Sequence, residues 1–213
     1  MILTLTRIDH LILSDHHYLT SEDECYFLRE YTARRGSDVS ETNQIIQNIK
    51  KAPDRRGRPE WFYKERDLQR AADELRAALN PAWLRTATIV PVPPHVVKGD
   101  PLHDDRIFQI ANLMGVGVGI DVRELVVQIA TVDPSHQSAS RPRPSDLRGN
   151  YHLDEKFCAP VPTTIGILDD ILTAGAHFRA TKDILSERFP GVPVVGVFYA
   201  RRIVAPADEN QRG

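Results

Sequence analysis

Apolar and polar positions divide the chain into two parts that differ in pattern on either side of residue 85. Residues 2–13 alternate apolar and polar side chains before they turn fully apolar, a pattern that predicts one or two strands. Residues 21–34 begin with the sequence of a capping box, which predicts a helix. A short helix is predicted from Asn43 to Lys51, and a strongly amphipathic helix over residues 63–79.

The second part alternates predicted strands with predicted helices. Strands are predicted over 88–92, 124–131, 165–169 and 193–200, helices over 104–114 and 177–188, and a long loop rich in Pro, Ser and Arg over 133–150. Such alternation is typical of a mainly parallel sheet with helices on its faces. We therefore predict an α/β core over residues 86–203, an N-terminal α+β appendage over 1–85, and a flexible polar tail over 204–213.

Composition and charge narrow the class of protein. The chain has 213 residues, 41% hydrophobic and 26% charged, with a formal net charge of −2, so no bulk basic field indicates a nucleic-acid-binding protein. Cys25 and Cys158 lie far apart and form no CxxC pair, which excludes a zinc ribbon and disfavours a disulfide framework. The sequence shows neither a signal-peptide pattern nor a membrane-spanning stretch, so we expect a cytoplasmic protein without a membrane partner.

Residues 163–178 carry the most chemical information. An apolar run from Ile165 to Leu168 ends in Asp169 and Asp170, and a compact turn over 173–177 then leads into a helical pattern. In an α/β protein this order builds a sugar-phosphate site, because loop amides and the helix dipole hold a phosphate while carboxylates accept hydrogen bonds from a vicinal diol. The alternative is an ordinary buried strand with a polar carboxyl end.

The same stretch resembles the motif with which type I phosphoribosyltransferases bind 5-phosphoribosyl 1-pyrophosphate (PRPP). The resemblance implies that Asp169 and Asp170 are the catalytic acids and bind the ribose 2′- and 3′-hydroxyls. It also implies a 5′-phosphate loop made of Thr173, Ala174, Gly175, Ala176 and His177. At the last of these positions the family usually has Thr or Ser, where this chain has His177, and at the second many members have Thr, where this chain has Ala174. The imidazole of His177 can still donate a hydrogen bond to phosphate.

Residues 86–203 further resemble the ComF group of this family, which is associated with competence. The matching segments, in chain order, are Ile89–Pro94, Asp105–Ala111, Ser135–Ser138, Leu147–Tyr151 and Ala200–Arg201. ComF proteins often carry an N-terminal four-cysteine zinc ribbon, which this chain lacks. The resemblance therefore implies the type I fold, a mainly parallel sheet flanked by helices, with residues 1–85 as a different hood over the carboxyl edge of the sheet.

The resemblance also implies the reaction, which is transfer of ribose 5-phosphate from PRPP to a base or amine with release of pyrophosphate. Mg²⁺ would bridge oxygens of PRPP, and would reach Asp169 and Asp170 only through PRPP. The implied pyrophosphate loop and lid consist of Val92, Pro93, Pro94, Lys98, Arg106, Arg141, Arg143 and Arg148. For the arginines of the 133–150 segment, a solvated loop is an equally good interpretation.

Three functions stay open at this point. The first is the active transferase, and the second is a catalytically weak or inactive module that binds PRPP or a nucleotide, which the substitutions at Ala174 and His177 favour. The third is an accessory of DNA uptake, DNA processing or phage defence with a DNA-processing partner, which the ComF resemblance and the basic, aromatic segment 55–63 favour. A homodimer is expected from the family, and His16 and His17 are expected to form a polar loop rather than a metal site.

Overall fold

The computed structural model describes residues 4–131 and 142–204 as a mixed α/β structure. Its strands are β1 (Thr6–Arg7), β2 (Glu24–Ala33), β3 (Thr88–Pro91), β4 (Asp121–Val122), β5 (Val126–Gln128), β6 (Tyr151–Leu153), β7 (Ile165–Leu172) and β8 (Val194–Val204). Its helices are α1 (Glu41–Ile49), α2 (Trp61–Ala78), α3 (Pro81–Leu84), α4 (Arg106–Gly115), α5 (Pro144–Asn150) and α6 (Ala176–Arg188).

Six strands form one sheet in the order β1-β2-β8-β7-β3-β4. The β1–β2 pair is antiparallel, whereas β2, β8, β7, β3 and β4 run parallel to one another. Strands β5 and β6 form a separate antiparallel pair. The structure therefore confirms the prediction of an α/β fold with a mainly parallel sheet flanked by helices.

Apolar side chains fill both faces of the six-stranded sheet. On one face α6 packs against β7 and β8, and the ring of Phe178 meets the ring of Phe198 edge to face. On the other face α1, α2 and α4 pack together, with Leu75 and Ile110 in the core. Because β7 is covered on both faces, its first half is a continuous apolar run rather than an alternating one.

The two helices predicted in the first part of the chain are confirmed. Helix α1 begins after Ser40, whose hydroxyl oxygen accepts a hydrogen bond from the amide of Asn43 over 3.0 Å. Helix α2 buries Leu68 and Leu75 on the face that the amphipathic pattern predicts. Each observed helix begins two residues before its predicted start, within the ordinary uncertainty of helix ends.

The helix predicted over residues 21–34 is wrong, because this segment is the long strand β2. It pairs in parallel with β8 from Glu24 to Ala33. Glu24, the last residue of the apparent capping box, accepts a hydrogen bond from the hydroxyl of Tyr26 instead of capping a helix. The buried side chains of Cys25 and Phe27 contribute to the core beneath the sheet, so tertiary pairing overrides the local helix signal.

Three further expectations need correction. Of the strands predicted over residues 2–13, the described part of the chain has the short β1. The strand predicted over 124–131 is the shorter β5, which belongs to the two-stranded pair rather than to the main sheet. The loop predicted over 133–150 ends in helix α5. Residues 132–141, with the segment Ser135–Ser138, and the tail beyond Val204 lie outside the described residues.

The division of the chain at residue 85 stays a prediction, and the sheet runs across it. Strand β2, from the first part, is hydrogen-bonded to β8, from the second part, and α2 packs on α4. The first part is therefore built into the same sheet that carries the candidate site. None of the helices that the structure describes combines the length and apolar character needed to cross a membrane.

Candidate functional site

A cleft of about 630 Å³ lies at the carboxyl ends of β3 and β7. Its walls are the end of β3 with the loop that follows, the first turn of α4, strand β5 and the end of β7. Open α/β sheets typically bind ligands at this edge, where the loops after the strands separate. The position of the cleft makes it the candidate functional site.

The cleft gathers most of the residues that the sequence predicts to bind a ligand. The predicted residues on its lining are Val92, Pro93, Pro94, Lys98, Arg106, Asp169, Asp170, Thr173 and His177. The middle of the predicted phosphate loop, residues 174–176, is buried between the lining residues Thr173 and His177. The loop therefore reaches the cleft through its two ends.

The two adjacent acids lie inside β7, which continues to Leu172 rather than ending at the first acid as the sequence predicts. Strand β3 pairs with β7 only as far as Leu168, so both acids lie beyond the end of β3 at the cleft. Successive side chains of a strand point to opposite faces, which directs Asp169 and Asp170 to different sides. The amide of Asp170 donates a hydrogen bond to Oδ1 of Asp169 over 2.8 Å.

Asp170 belongs to a buried chain of alternating charges. Nε of Arg106 lies 2.8 Å from its Oδ2, and Nζ of Lys50 lies 3.3 Å from its Oδ1. Arg106 also contacts Asp104 over 2.8 Å, and Asp104 pairs with the buried Lys64 over 2.8 Å. The chain joins α2 to the end of β7, and each carboxylate oxygen of Asp170 contacts a cation.

The two acids differ in how readily they ionise. Burial and the neighbouring charge of Asp170 raise the pKa of Asp169 to about 7. Burial also opposes ionisation of Asp170, but Lys50 and Arg106 outweigh it and hold the pKa of Asp170 well below its usual range. At neutral pH Asp170 is therefore ionised, whereas Asp169 is close to its pKa. Such a difference in pKa between neighbouring acids is typical of functional sites.

The loop between β7 and α6 brings His177, in the first turn of the helix, to the cleft. Gly175 has a φ of 89°, a left-handed conformation that glycine adopts without steric cost. The first hydrogen bond of α6 runs from the amide of Arg179 to the carbonyl of Gly175. The amides of Ala176, His177 and Phe178 precede this bond and so lie outside the helical ladder, where an anion can accept from them.

The segment before β2 packs over this loop and fixes its carbonyl groups. The amide of Tyr18 donates to the carbonyl of Ala174 over 2.9 Å, and Nδ1 of His16 donates to the carbonyl of Thr173. His16 is fully buried, so the expectation of a polar loop is wrong for this residue, although His17 is exposed. Burial lowers the pKa of His16 despite its bond to Thr173.

His177 lines the cleft from the first turn of α6. Its Nδ1 lies 2.7 Å from the hydroxyl oxygen of Tyr151, the first residue of β6. Burial lowers the pKa of His177 to about 4, so the imidazole is neutral at physiological pH. The predicted phosphate loop thus ends in a neutral ring that a tyrosine holds at one nitrogen.

The predicted pyrophosphate loop lines the cleft but offers fewer amides than expected. The amide of Val92 is used by the sheet, where it donates to the carbonyl of Leu168 over 2.9 Å. Pro93 and Pro94 have no amide hydrogen. Backbone donors for a pyrophosphate therefore begin at His95, later than the sequence indicates.

Of the arginines that the sequence places in a lid, the two within the described residues do not line the cleft. Arg143 is exposed beside the first turn of α5, away from the cleft lining. Arg148 pairs with Glu187 of α6 over 2.6 Å, outside the cleft. Arg141 lies outside the described residues. The solvated interpretation thus fits Arg143, while Arg148 has a structural partner.

Sequence reasoning missed several charged residues of the cleft, among them Lys50 and Asp104. Asp104 precedes the predicted segment by a single residue, and its spacing from Arg106 is a usable signal for an ion pair. Lys50 follows α1 and reaches Asp170 only because α1 packs beside the sheet, so no local pattern identifies it. Among the described residues, the lysines and arginines that line the cleft are Lys50, Arg106 and Lys98. Lys98 is the predicted lysine, and it pairs with a glutamate.

The acids of the cleft suit a magnesium ion only when a bound ligand supplies most of the oxygen atoms around it. Within residues 4–131 and 142–204, no group of three or more His, Cys, Asp or Glu side chains is arranged to hold a metal ion. Asp169 and Asp170 supply the hard oxygen atoms that Mg²⁺ prefers, but Asp170 is already engaged by cations. An ion at this place would take most of its oxygen ligands from PRPP and from water.

The basic, aromatic segment 55–63 lies at the start of α2. Phe62 and Tyr63 are 63% and 46% exposed, and the cations of Lys51 and Arg66 lie 5.4 and 5.1 Å from the ring centre of Tyr63. Exposed rings beside cations are the elements of surfaces that bind single-stranded nucleic acid. A contact with DNA at this segment stays a prediction.

Neither a comparison with protein-family models nor a comparison with curated proteins finds a match to this chain. The residues of the cleft therefore carry the functional inference. Their chemistry combines a carboxylate pair, a helix amino end and several cations in one space.

Proposed function

We propose that this protein binds PRPP and transfers its ribose 5-phosphate to a nitrogen atom of a base or an amine, in the manner of ComF-like type I phosphoribosyltransferases. One observation carries the proposal: adjacent acids at the end of β7 share a cleft with the amino end of α6. Carboxylates accept hydrogen bonds from a vicinal diol, and helix amides bind phosphate. A ribose 5-phosphate carries both groups, a vicinal diol and a phosphate, on one molecule.

The proposed reaction replaces one bond at C1′ of the ribose. The bond to the pyrophosphate oxygen breaks, both of its electrons leave with pyrophosphate, a bond from C1′ to nitrogen forms, and the proton of that nitrogen passes to solvent. Positive charge develops on the ribose ring as the bond breaks, and the carboxylate of Asp169 stabilises it. The cleft walls carry positive charges that compensate the negative charge of the departing pyrophosphate, on Lys50, Lys98 and Arg106.

Magnesium fits this proposal as a partner of PRPP. When bound, it would neutralise pyrophosphate charge. Among the residues that the structure describes, Asp170 has cations at contact distance and Asp169 has none. The protein's own residues hold the ribose, position the 5′-phosphate at the start of α6 and enclose the reacting atoms in the cleft.

The proposal is tested by calorimetric titration of PRPP with and without Mg²⁺. We expect binding by the wild type, and a loss of about tenfold or more for Asp169→Asn, because a carboxylate accepts hydrogen bonds to a diol better than an amide does. The exposed Asp54→Asn variant has the same change of charge away from the cleft and should bind as the wild type does. A folded wild type that does not bind PRPP contradicts the proposal.

A second candidate function is binding of PRPP or a nucleotide without turnover. The observation that favours it is the engagement of Asp170, which Arg106 and Lys50 already neutralise. Such a module would bind PRPP in the same titration but release no pyrophosphate with any base or amine. A pyrophosphate-release assay across a panel of bases and amines, with Asp169→Asn as the negative control, separates the two functions.

A further inference from the structure

We infer that Tyr151 fixes the tautomer of His177, so that Nε2 carries the imidazole proton and donates a hydrogen bond to an anionic oxygen in the cleft. The ligand class is a phosphate group. Naming it as the 5′-phosphate of PRPP rests on the proposed function, whereas the tautomer itself does not. Tyr151 is thus assigned as a positioning residue and His177 as a binding residue.

The geometry leaves one ring nitrogen for a ligand. The hydroxyl oxygen of Tyr151 lies 2.7 Å from Nδ1 of His177, at the junction of β6 with the first turn of α6. Because Nδ1 of His177 is engaged by Tyr151, Nε2 is the ring nitrogen left for a ligand in the cleft that His177 lines. Nε2 donates if the hydroxyl of Tyr151 donates its proton to Nδ1. Nε2 accepts if Nδ1 carries the ring proton and donates it to the hydroxyl oxygen.

Hydrogen-bond satisfaction decides that direction. In one arrangement the hydroxyl of Tyr151 donates to Nδ1, and the ring proton is on Nε2. In the other, Nδ1 donates to the hydroxyl oxygen, and the hydroxyl proton needs a second acceptor. Within residues 4–131 and 142–204, the hydroxyl of Tyr151 has no second hydrogen-bond partner, and the residue is only 6% exposed. The second arrangement would bury an unsatisfied donor, which is costly, so the first is favoured.

The protonation states of both groups support the same assignment. Burial lowers the pKa of His177 to about 4, although the negative charge of Asp170 acts in the opposite direction. The ring therefore carries a single proton at neutral pH. Burial and the charge of Asp169 raise the pKa of Tyr151, which keeps its proton. A neutral imidazole with Nδ1 accepting carries its one proton on Nε2.

This assignment gives the substitution in the loop a chemical meaning. His177 occupies the position where the motif that it resembles has a hydroxyl residue, and a donor there is complementary to an anion held by the amides at the start of α6. A ring held as the Nε2–H tautomer replaces the hydroxyl donor. Without Tyr151, a mixture of tautomers would offer a lone pair to the phosphate in part of the molecules, and that part would repel it.

The tautomer is tested directly, in the full chain without ligand, by long-range proton–nitrogen correlation spectra of protein labelled with ¹⁵N-histidine. The signals of His177 are identified by their absence in His177→Gln. We expect the Nε2–H pattern in the wild type, and a change towards the Nδ1–H pattern in Tyr151→Phe. Tyr26→Phe, which removes an exposed hydroxyl on β2, should leave the pattern unchanged. An Nδ1–H pattern in the wild type, or no change in a folded Tyr151→Phe, overturns the inference.

The donor role is tested with inorganic phosphate and then with PRPP and Mg²⁺. Phosphate should shift the Nε2 signal of His177 in the wild type, and the absence of a shift at saturating phosphate overturns the donor role. His177→Gln places an amide donor near the position of Nε2, whereas the shorter His177→Asn places its amide near Nδ1. We expect the Asn variant to bind PRPP about tenfold or more weakly and the Gln variant to stay within a few-fold of the wild type. Equal losses for both variants overturn the donor role.

Failure of this inference can be told apart from failure of the proposed function. If Nε2–H and the phosphate shift are observed but PRPP does not bind, the proposed function is overturned and the phosphate donor stands. If PRPP binds to the wild type and to His177→Asn equally well, the proposed function stands and the donor is overturned. In the His177→Gln background, Tyr151→Phe should cause little further loss, because an amide has no tautomer to fix.

Discussion

Nε of Arg106 donates to Oδ2 of Asp170 over 2.8 Å, and this contact joins α4 to the acid pair on β7. The same guanidinium reaches Asp104, so both of its ends are paired with carboxylates. Because Asp170 is buried, removing the guanidinium would leave its charge with Lys50 as the remaining cation. The contact is therefore a structural support of the cleft as well as a part of its charge pattern.

We expect Arg106→Ala to lower the free energy of unfolding by about 3 kcal/mol, because breaking a buried ion pair leaves an uncompensated charge. Urea unfolding at pH 7 measures the loss. The matched control is Arg188→Ala, which removes an arginine from an exposed pair with Glu155 and should change stability little. Equal stability of Arg106→Ala and the wild type would show that Asp170 does not depend on this pair.

The raised pKa of Asp169 predicts that the contribution of this residue to the stability of the wild type falls as the pH rises from about 4 to about 7. In this window the unfolded chain ionises the aspartate near its ordinary value of 3.8, while the folded state still holds the proton. The folded state binds more protons, so this contribution falls with increasing pH. Asp169→Asn has no such group, and we expect it to gain on the wild type across the window by a few kcal/mol at most.

Urea unfolding of both proteins at closely spaced pH values measures this gap. The gap should widen up to about pH 7 and then stay level, since both states are ionised above it. Asp54→Asn, at an exposed site, serves as the control and should show no gap that grows with pH. A constant difference between Asp169→Asn and the wild type would show that Asp169 ionises normally in the folded state.

A second buried network predicts a stability effect away from the cleft. Glu74 of α2 accepts hydrogen bonds from Arg29 over 2.7 and 2.8 Å, from Arg70 over 2.9 Å and from the hydroxyl of Tyr199 over 2.8 Å. We expect Glu74→Gln to cost about 3 kcal/mol in urea unfolding at pH 7, because the largely buried Arg29 would lose the more buried of its two anions and keep the exposed Glu41. The exposed Glu155→Gln is the control and should have little effect.

The pH dependence of this effect has a definite sign. Burial opposes ionisation of Glu74, but hydrogen bonds from Arg29 and Arg70 outweigh it and lower its pKa below 4.5. A lowered pKa contributes stability that is fully present above the unfolded value and is lost as the pH falls through the folded value. The difference between Glu74→Gln and the wild type should therefore shrink below about pH 4.5, and a difference that persists unchanged in acid would contradict the ionic explanation.

Sequence patterns predict the elements whose structure depends on residues close together in the chain. Helix α2 is visible in the sequence because Leu68 and Leu75 repeat at helical spacing and face the core. The acid pair is visible because an apolar run ends at Asp169, where β7 passes the end of β3. In both cases the residues that give the signal are the ones that give the structure.

Residues fixed by distant partners are not visible in this way. The segment of β2 has a sequence pattern that predicts the start of a helix. In the structure Asp23 pairs instead with Arg179 and Lys182 of α6, and the strand pairs with β8. Lys50 enters the cleft because α1 packs beside the sheet, which no neighbouring residue encodes. The partner of His177 on β6, Tyr151, is likewise a product of the fold, since 26 residues separate the two.

Gly175 permits a prediction that separates backbone strain from crowding at the phosphate loop. Its φ is 89°, and a Cβ atom built there would lie 3.0 Å from Cδ2 of Leu19, which is tighter than ordinary van der Waals contact. Gly191 has a φ of 82° but open space around its Cβ position, so Gly191→Ala reports the backbone cost alone, about 1 kcal/mol. We expect Gly175→Ala to lose more stability than Gly191→Ala, and a second change, Leu19→Ala, to reduce the difference between them.

Because the loop holds the start of α6, Gly175→Ala should also weaken PRPP binding, whereas Gly191→Ala should not. Equal losses of stability from the two alanine variants would mean that Leu19 moves aside freely and does not brace the loop.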